Sequence, residues 1–211
     1  CSSDLFVYTS GTTGPPKCAM ITHENLISFI NASADAFPFE AGDRAIAFLP
    51  LAHVAQRVLG FYCQISSGIE AYFASSVASV FDEVQEVKPT IFGSVPRLYE
   101  KAYAKVHSEM AKKPAAVQRI FSWAKDIGHR HLTYELEGRC PPLLLSIRYR
   151  LADKLVFSKI RNAFGGAVRQ SITGAAPIPI DILQFFWACG LPIFEVYGMT
   201  EATVVTHANI P

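Results

Sequence analysis

Short β-rich runs alternate with helical patterns along most of this sequence, and that alternation is its strongest constraint on fold. Leu5–Tyr8, Ala45–Leu49, Ile69–Phe73, Thr90–Phe92, Ser171–Thr173 and Ile193–Val196 carry strand patterns. Between them His23–Ala36, Ala52–Ser66, Val77–Val87 and Ile180–Cys189 repeat apolar residues at helical spacing. A chain of this kind is expected to be α/β, with mostly parallel sheets covered by helices. Half of the 211 residues are hydrophobic and 18% are charged, which excludes a disordered chain.

One stretch breaks the alternation. From Arg97 to Arg161 there are 14 Lys+Arg and 6 Asp+Glu, a net of +8, against −7 for the remainder. Residues 97–161 have almost no β signal. Val117, Ile120, Phe121, Ala124, Ile127 and His131 recur at spacings of three and four, so a largely helical, basic insertion is expected. Its charge is open to three readings: a solvated face with Lys and Arg stems over apolar surface, a peripheral contact with anionic membrane, or a dock for the phosphates of a ligand. The total charge of +1 gives no reason to expect nucleic acid as a partner.

The longest charge-free runs, Val58–Ile69 and Ile182–Phe194, fall far short of a membrane span. Five scattered cysteines without a CxxC or Cys/His cluster suggest reduced thiols and a cytoplasmic setting. The sequence opens within a strand pattern and stops just after another, as a piece of a longer protein would.

Tyr8-Thr9-Ser10-Gly11-Thr12-Thr13-Gly14-Pro15-Pro16-Lys17 is the segment richest in chemistry. After Tyr8 it holds four hydroxyls, two Gly and one Lys, with no acidic group. Hydroxyls and amide N–H groups donate to anions, and Gly lets the backbone curl them inward. A phosphate loop is therefore expected. It is not a Walker A loop, because Pro16 precedes Lys17 and Cys18 follows it. Cys18–Ile21 is expected to be a short strand, with Thr22 capping the next helix and Glu24 in its first turn.

Near the other end, Val196-Tyr197-Gly198-Met199-Thr200-Glu201-Ala202 takes a strand into Gly, a hydroxyl and a carboxylate. Ligands collect at the carboxyl ends of strands in open parallel sheets. Glu201 could hold Mg²⁺ there, or Thr200-Glu201 could simply start a helix. Thr173-Gly174-Ala175-Ala176-Pro177 is a second strand end opening into small residues. Its backbone could lie flat against a purine, or could serve close packing.

Taken together with Leu49-Pro50-Leu51-Ala52-His53 and Val95-Pro96-Arg97, these segments resemble, in order and spacing, the adenylate-forming acyl-CoA synthetases. The helical insertion is similar to that of long-chain fatty-acid–CoA ligases. The resemblance implies ATP, Mg²⁺ and CoA as cofactors and a fatty acid as substrate. Thr9, Ser10, Gly11, Thr12, Thr13, Gly14 and Lys17 would hold the β and γ phosphates. Gly174, Ala175, Ala176 and Pro177 would flank adenine, with Tyr197 stacking on it. Gly198 and Met199 would belong to the same nucleotide site, and Thr200 would bond phosphate or nucleotide. Glu201, with Thr9, would hold the metal. His53 would sit near the acid's carboxylate, or else act as a capping or core histidine. The lack of an Asp in Leu51–Arg57 favours a substrate with no cation to neutralise. Ligases for aryl or luciferase-type acids, and a non-catalytic nucleotide- or acyl-binding remnant, are the alternatives. Cys18 departs from the Gly usual in the family. The family's ribose-binding Asp, hinge and Lys-bearing small domain would follow Glu201. A fragment of the large domain ending at Pro211 is expected to bind nucleotide poorly or not at all, and not to complete adenylation unaided.

Overall fold

The computed structural model describes residues 5–9, 14–37 and 39–209. β1 (Leu5–Thr9) and β2 (Lys17–Ile21) pair as an antiparallel hairpin, with Thr9 opposite Lys17. α1 (His23–Ala36) follows with the bounds its sequence implies. The Asn25 N–H donates to Thr22 Oγ1 at 3.1 Å and the Thr22 N–H to Asn25 Oδ1 at 3.0 Å, a reciprocal cap.

β3 (Arg44–Ala47), α2 (Val54–Arg57), α3 (Cys63–Ser67), β4 (Glu70–Phe73), α4 (Val80–Val87) and β5 (Ile91–Ser94) come next. A π-helical stretch, Val58–Tyr62, joins α2 to α3. Two of these helices start later than their sequence patterns. Pro50 begins a turn in which its carbonyl accepts the His53 N–H at 2.9 Å, so helix waits for Val54. Ser76 and Ser79 exchange side-chain-to-amide bonds of 3.1 and 3.2 Å, which holds the chain in a turn until Val80.

The basic segment becomes α5 (Pro96–Ala111), α6 (Ala115–Leu136), α7 (Leu143–Ala152), a π-helical stretch Asp153–Phe157 and α8 (Ser158–Asn162). It is the crossover between the parallel neighbours β5 and β6 (Gln170–Thr173). α6 is rotated from the face expected of it. Phe121, Ala124, Ile127, Gly128 and Leu132 are buried, whereas Val117 and Ile120 are exposed. Gly128 sets that rotation, since a Cβ there would lie 2.9 Å from Phe157 Cζ and 3.1 Å from Ala188 Cβ.

α9 (Ile180–Ala188), β7 (Ile193–Met199), a 3₁₀ turn (Thr200–Ala202) and β8 (Val204–Ala208) complete the chain. β7 runs three residues beyond its expected end at Val196, because β8 pairs with it antiparallel. The six-stranded sheet has the order β4-β3-β5-β6-β7-β8, parallel from β4 to β7. The fold is thus the α/β arrangement expected, with helices covering a mostly parallel sheet.

Phe92, Tyr99, Phe164, Phe185 and Phe186 lie at 0–2% exposure between the sheet and the crossover helices. Each such side chain contributes roughly 1.5–3 kcal/mol on burial. A second cluster of Val7, Ile21, Leu26, Val54, Val58 and Val204 ties the hairpin to α1, α2 and β8. Cys18, Cys63, Cys140 and Cys189 are free thiols.

Candidate active site

Strand order reverses at β3, which has β4 on one side and β5 on the other. Such a reversal leaves a crevice beyond the carboxyl ends of the strands. A cavity of about 390 Å³ occupies it here. Ser94, Thr173, Gly174, Gly198, Met199 and Thr200 line it from the strand ends, and Gln56, Gly60 and Gln64 from the helix opposite. Ile46, Leu59, Ile91, Ile172 and Val196 make much of the remaining wall apolar. It reaches from the level of Ser94 down to that of Ile91, about 10 Å along β5 at 3.3 Å per residue.

His53 also lines the cavity. Its Nδ1 accepts the Ala55 N–H at 3.2 Å and so caps α2. That bond leaves Nε2 as the hydrogen-bearing atom of the neutral ring. Capping α2 and lining the cavity are both true of this residue. Arg57 Nε donates to Leu51 O at 3.0 Å and fixes the turn before it.

Two glycines of the motifs are required by close approach. A Cβ on Gly198 would collide with Val204 O, and one on Gly174 would lie 2.9 Å from Val196 O. Gly198 therefore sits inside β7, beside a register shift. Ala175, with φ of 70°, takes a left-handed conformation uncommon for a residue with a Cβ.

The hairpin of β1 and β2 stands next to this crevice. β2 packs against the 3₁₀ turn of Thr200–Ala202, which makes Lys17 and Glu201 members of neighbouring elements. Thr9 Oγ1 donates to Lys17 O at 3.4 Å at the base of the loop, and Gly14 has φ of 123°. Ser10, Gly11, Thr12 and Thr13 lie outside the described residues. The structure thus gathers His53, Gly174, Ala175, Gly198, Met199 and Thr200 on one cavity. Thr9, Gly14, Lys17, Ala176, Pro177, Tyr197 and Glu201 do not line it. Tyr197 is exposed, with its ring 6.2 Å from that of His207.

Among the described residues no three His, Cys, Asp or Glu side chains converge as a metal centre. Glu201 by itself is an exposed carboxylate on a turn. It suits Mg²⁺, which takes one or two carboxylates and completes its shell with phosphate and water.

Three cavity residues are not singled out as ligand groups by the sequence. Ser94 Oγ, Thr173 Oγ1 and Gln64 Oε1 are buried without a hydrogen-bond partner, and all three residues line the cavity. Ser94 and Thr173 are register neighbours on β5 and β6. An unsatisfied buried polar group costs about 1–3 kcal/mol, a cost that a polar ligand group or water relieves. Their sequence signal is a hydroxyl residue ending each of two parallel strands. Gly60 makes room for Gln56, whose Nε2 a Cβ at that position would strike.

The family of AMP-binding enzymes matches residues 4–211. A Mycobacterium tuberculosis protein named as a fatty-acid–CoA ligase, fadD11, is 36% identical over 207 residues, covering 97% of this chain and 36% of that protein. The mouse long-chain-fatty-acid–CoA ligase 5 is 38% identical over 204 residues, covering 94% of this chain and 28% of that protein. The chain therefore spans about a third of the length of these relatives. A malonyl-CoA ligase solved with methylmalonyl-CoA and AMP superimposes with a TM-score of 0.60 at 24% identity, covering 96% of this chain and 34% of that one. That likeness shows the fold.

Proposed function

Because the chain belongs to the AMP-binding enzyme family, we propose that it carries the nucleotide- and acyl-binding core of a long-chain fatty-acid–CoA ligase. The reading rests chiefly on one observation: the apolar cavity has the His53 and Thr200 motifs in its wall, and the Lys17 hairpin packs against the turn that bears Thr200. An alkyl chain suits such a wall, and a carboxylate suits donors beside it.

In the proposed reaction a carboxylate oxygen attacks the α-phosphorus of ATP and pyrophosphate leaves. The CoA sulfur then attacks the acyl carbon and AMP leaves. Two anions must meet in the first step, so fixed donors have to offset their repulsion. Lys17 supplies a compact positive charge to the β and γ phosphates, with Thr9, Ser10, Gly11, Thr12, Thr13 and Gly14 as donors around it. Gly174, Ala175, Ala176, Pro177 and Tyr197 flank adenine. Gly198 and Met199 complete that side, and Thr200 bonds the phosphate. His53, held by its bond to Ala55, presents Nε2–H to the carboxylate. Ser94 and Thr173 offer hydroxyls to the same cavity from the strand ends. Glu201 and Thr9 would hold Mg²⁺, whose charge offsets that of the pyrophosphate.

Free fatty acids partition into bilayers, and we place the chain's contact with that source on the basic segment 97–161. No helix among the described residues is long and apolar enough to cross a membrane.

The test is calorimetric titration of the chain with a non-hydrolysable dodecanoyl-adenylate mimic and its alanyl counterpart. Selective binding of the dodecanoyl compound is expected, weakened about tenfold or more in Lys17→Ala, as for a lost charge-assisted bond. Equal binding of both compounds would overturn the fatty-acid part. No binding by chain shown folded by circular dichroism would overturn the site.

A further inference from the structure

The outward face of α7 and the π-helical stretch that prolongs it is apolar. Leu143, Leu144, Ile147, Leu151 and Leu155 are 78%, 60%, 54%, 50% and 40% exposed. With 3.6 residues per turn they form one stripe, while Leu145, Ala152 and Val156 on the opposite side are buried. Scattered exposed leucines are ordinary on a soluble surface. Four leucines and one isoleucine aligned along α7 and its π-helical extension mark a surface that meets something apolar.

The charges around the stripe select the partner. Arg148 flanks one edge, Arg150 and Lys154 the other, and all three are exposed. Asp153 is the only acidic residue from Leu143 to Phe157, and Arg161 holds it at 2.5 and 3.1 Å. Glu137, at the end of the neighbouring α6, is occupied by Arg139 at 2.7 Å. The stripe therefore has cationic borders, and the one acid within its span is already paired. A second copy meeting it face to face would press like charges together.

We propose that α7 lies in the plane of an anionic bilayer surface. Its leucine stripe enters the boundary between headgroups and acyl chains, and Arg148, Arg150 and Lys154 reach up to the headgroup layer. This rests on the membrane contact proposed above for segment 97–161, and its test is separable from the ligase reading, because lipid binding is read without catalysis.

The experiment is sedimentation of the chain with large vesicles of phosphatidylglycerol and phosphatidylcholine, or of phosphatidylcholine alone. Strong binding is expected only with the anionic vesicles. The triple variant Arg148→Gln, Arg150→Gln, Lys154→Gln should bind them about 100-fold more weakly at low salt. Ile147→Asp with Leu151→Asp should abolish binding while leaving the circular dichroism spectrum unchanged, as both side chains are at least half exposed. Leu151→Trp should gain fluorescence that lipids brominated in their acyl chains quench. Equal binding to both vesicle types, binding indifferent to these substitutions, or a Leu151→Trp signal that brominated lipid leaves untouched would overturn the proposal. Self-association in light scattering, abolished by Leu151→Asp without loss of vesicle binding, would overturn it in favour of a second copy.

Discussion

Asp43 and Arg169 are 126 positions apart and share a partly buried ion pair, in which Arg169 Nε donates to Asp43 Oδ1 at 3.1 Å and Nη2 donates to Oδ2. Thr90 Oγ1 donates to the same carboxylate at 2.6 Å and the Glu40 N–H at 2.8 Å. Each of Asp43, Thr90 and Arg169 stands one residue before a strand, β3, β5 or β6. One carboxylate thus gathers the amino ends of three neighbouring strands, at the end of the sheet opposite Ser94 and Thr173.

Burial by itself raises the Asp43 pKa, and the hydrogen bonds from Arg169 and Thr90 more than offset that, so it lies below the usual carboxylate range. A depressed native pKa gives stability that is full above the unfolded carboxylate pKa and is lost as pH falls through the native one. Asp43→Asn should cost on the order of 2 kcal/mol, less than a fully buried pair because Arg169 keeps 34% exposure. It should also flatten the acid limb. Urea unfolding of both proteins across the acid range measures this, and an unaltered acid limb would count against it.

Thr173→Val exchanges an unpartnered buried hydroxyl for a methyl of similar size. Removing that unsatisfied group should leave stability unchanged or raise it by about 1 kcal/mol. Binding of the acyl-adenylate mimic should weaken in the same variant. A variant that is less stable yet binds normally would show that the hydroxyl has a structural partner.

Gly198→Ala should be severe. The new Cβ would meet a carbonyl oxygen of β8, which is backbone and cannot swing aside. Separating β7 from β8 should cost about 3 kcal/mol, the upper end of ordinary overpacking. Thermal unfolding within about 1 °C of the parent would refute the close approach.

His53→Ala should lose about 1 kcal/mol with the cap of α2. His53→Asn, which can accept the Ala55 N–H, should regain most of it. If Nε2–H also meets the ligand, both variants should bind the acyl-adenylate mimic about tenfold more weakly. Normal binding by His53→Asn would reduce His53 to a cap.

What could be read from the sequence is what local chemistry decides. Thr22 and Asn25 are three residues apart and make the cap themselves, so α1 has its expected bounds. The short strands on either side of the Gly-rich loop and the strand ending at Thr173 follow equally from neighbouring residues. Contacts between distant elements were hidden. The rotation of α6 depends on Gly128 meeting Phe157 and Ala188, and the extension of β7 on β8. His53, Gly174 and Thr200 could be picked out by motif, whereas Ser94 and Gln64 come to line the same cavity only when the sheet faces the helix above it.

The crossover of α5 to α8 bears on how this chain reaches its fold. β5 and β6 are adjacent in the sheet, yet no short turn can zip them together. Bringing them together means closing a very long loop before any of their hydrogen bonds form. The entropic cost of that grows slowly, about 0.6 kcal/mol for each doubling of length. Helices built from contacts a few residues apart can shorten the loop in advance. The same segment that carries the leucine stripe on its surface is then the scaffold on which the middle of the sheet assembles. Substitutions that loosen α6 against α9 should slow refolding more than they speed unfolding.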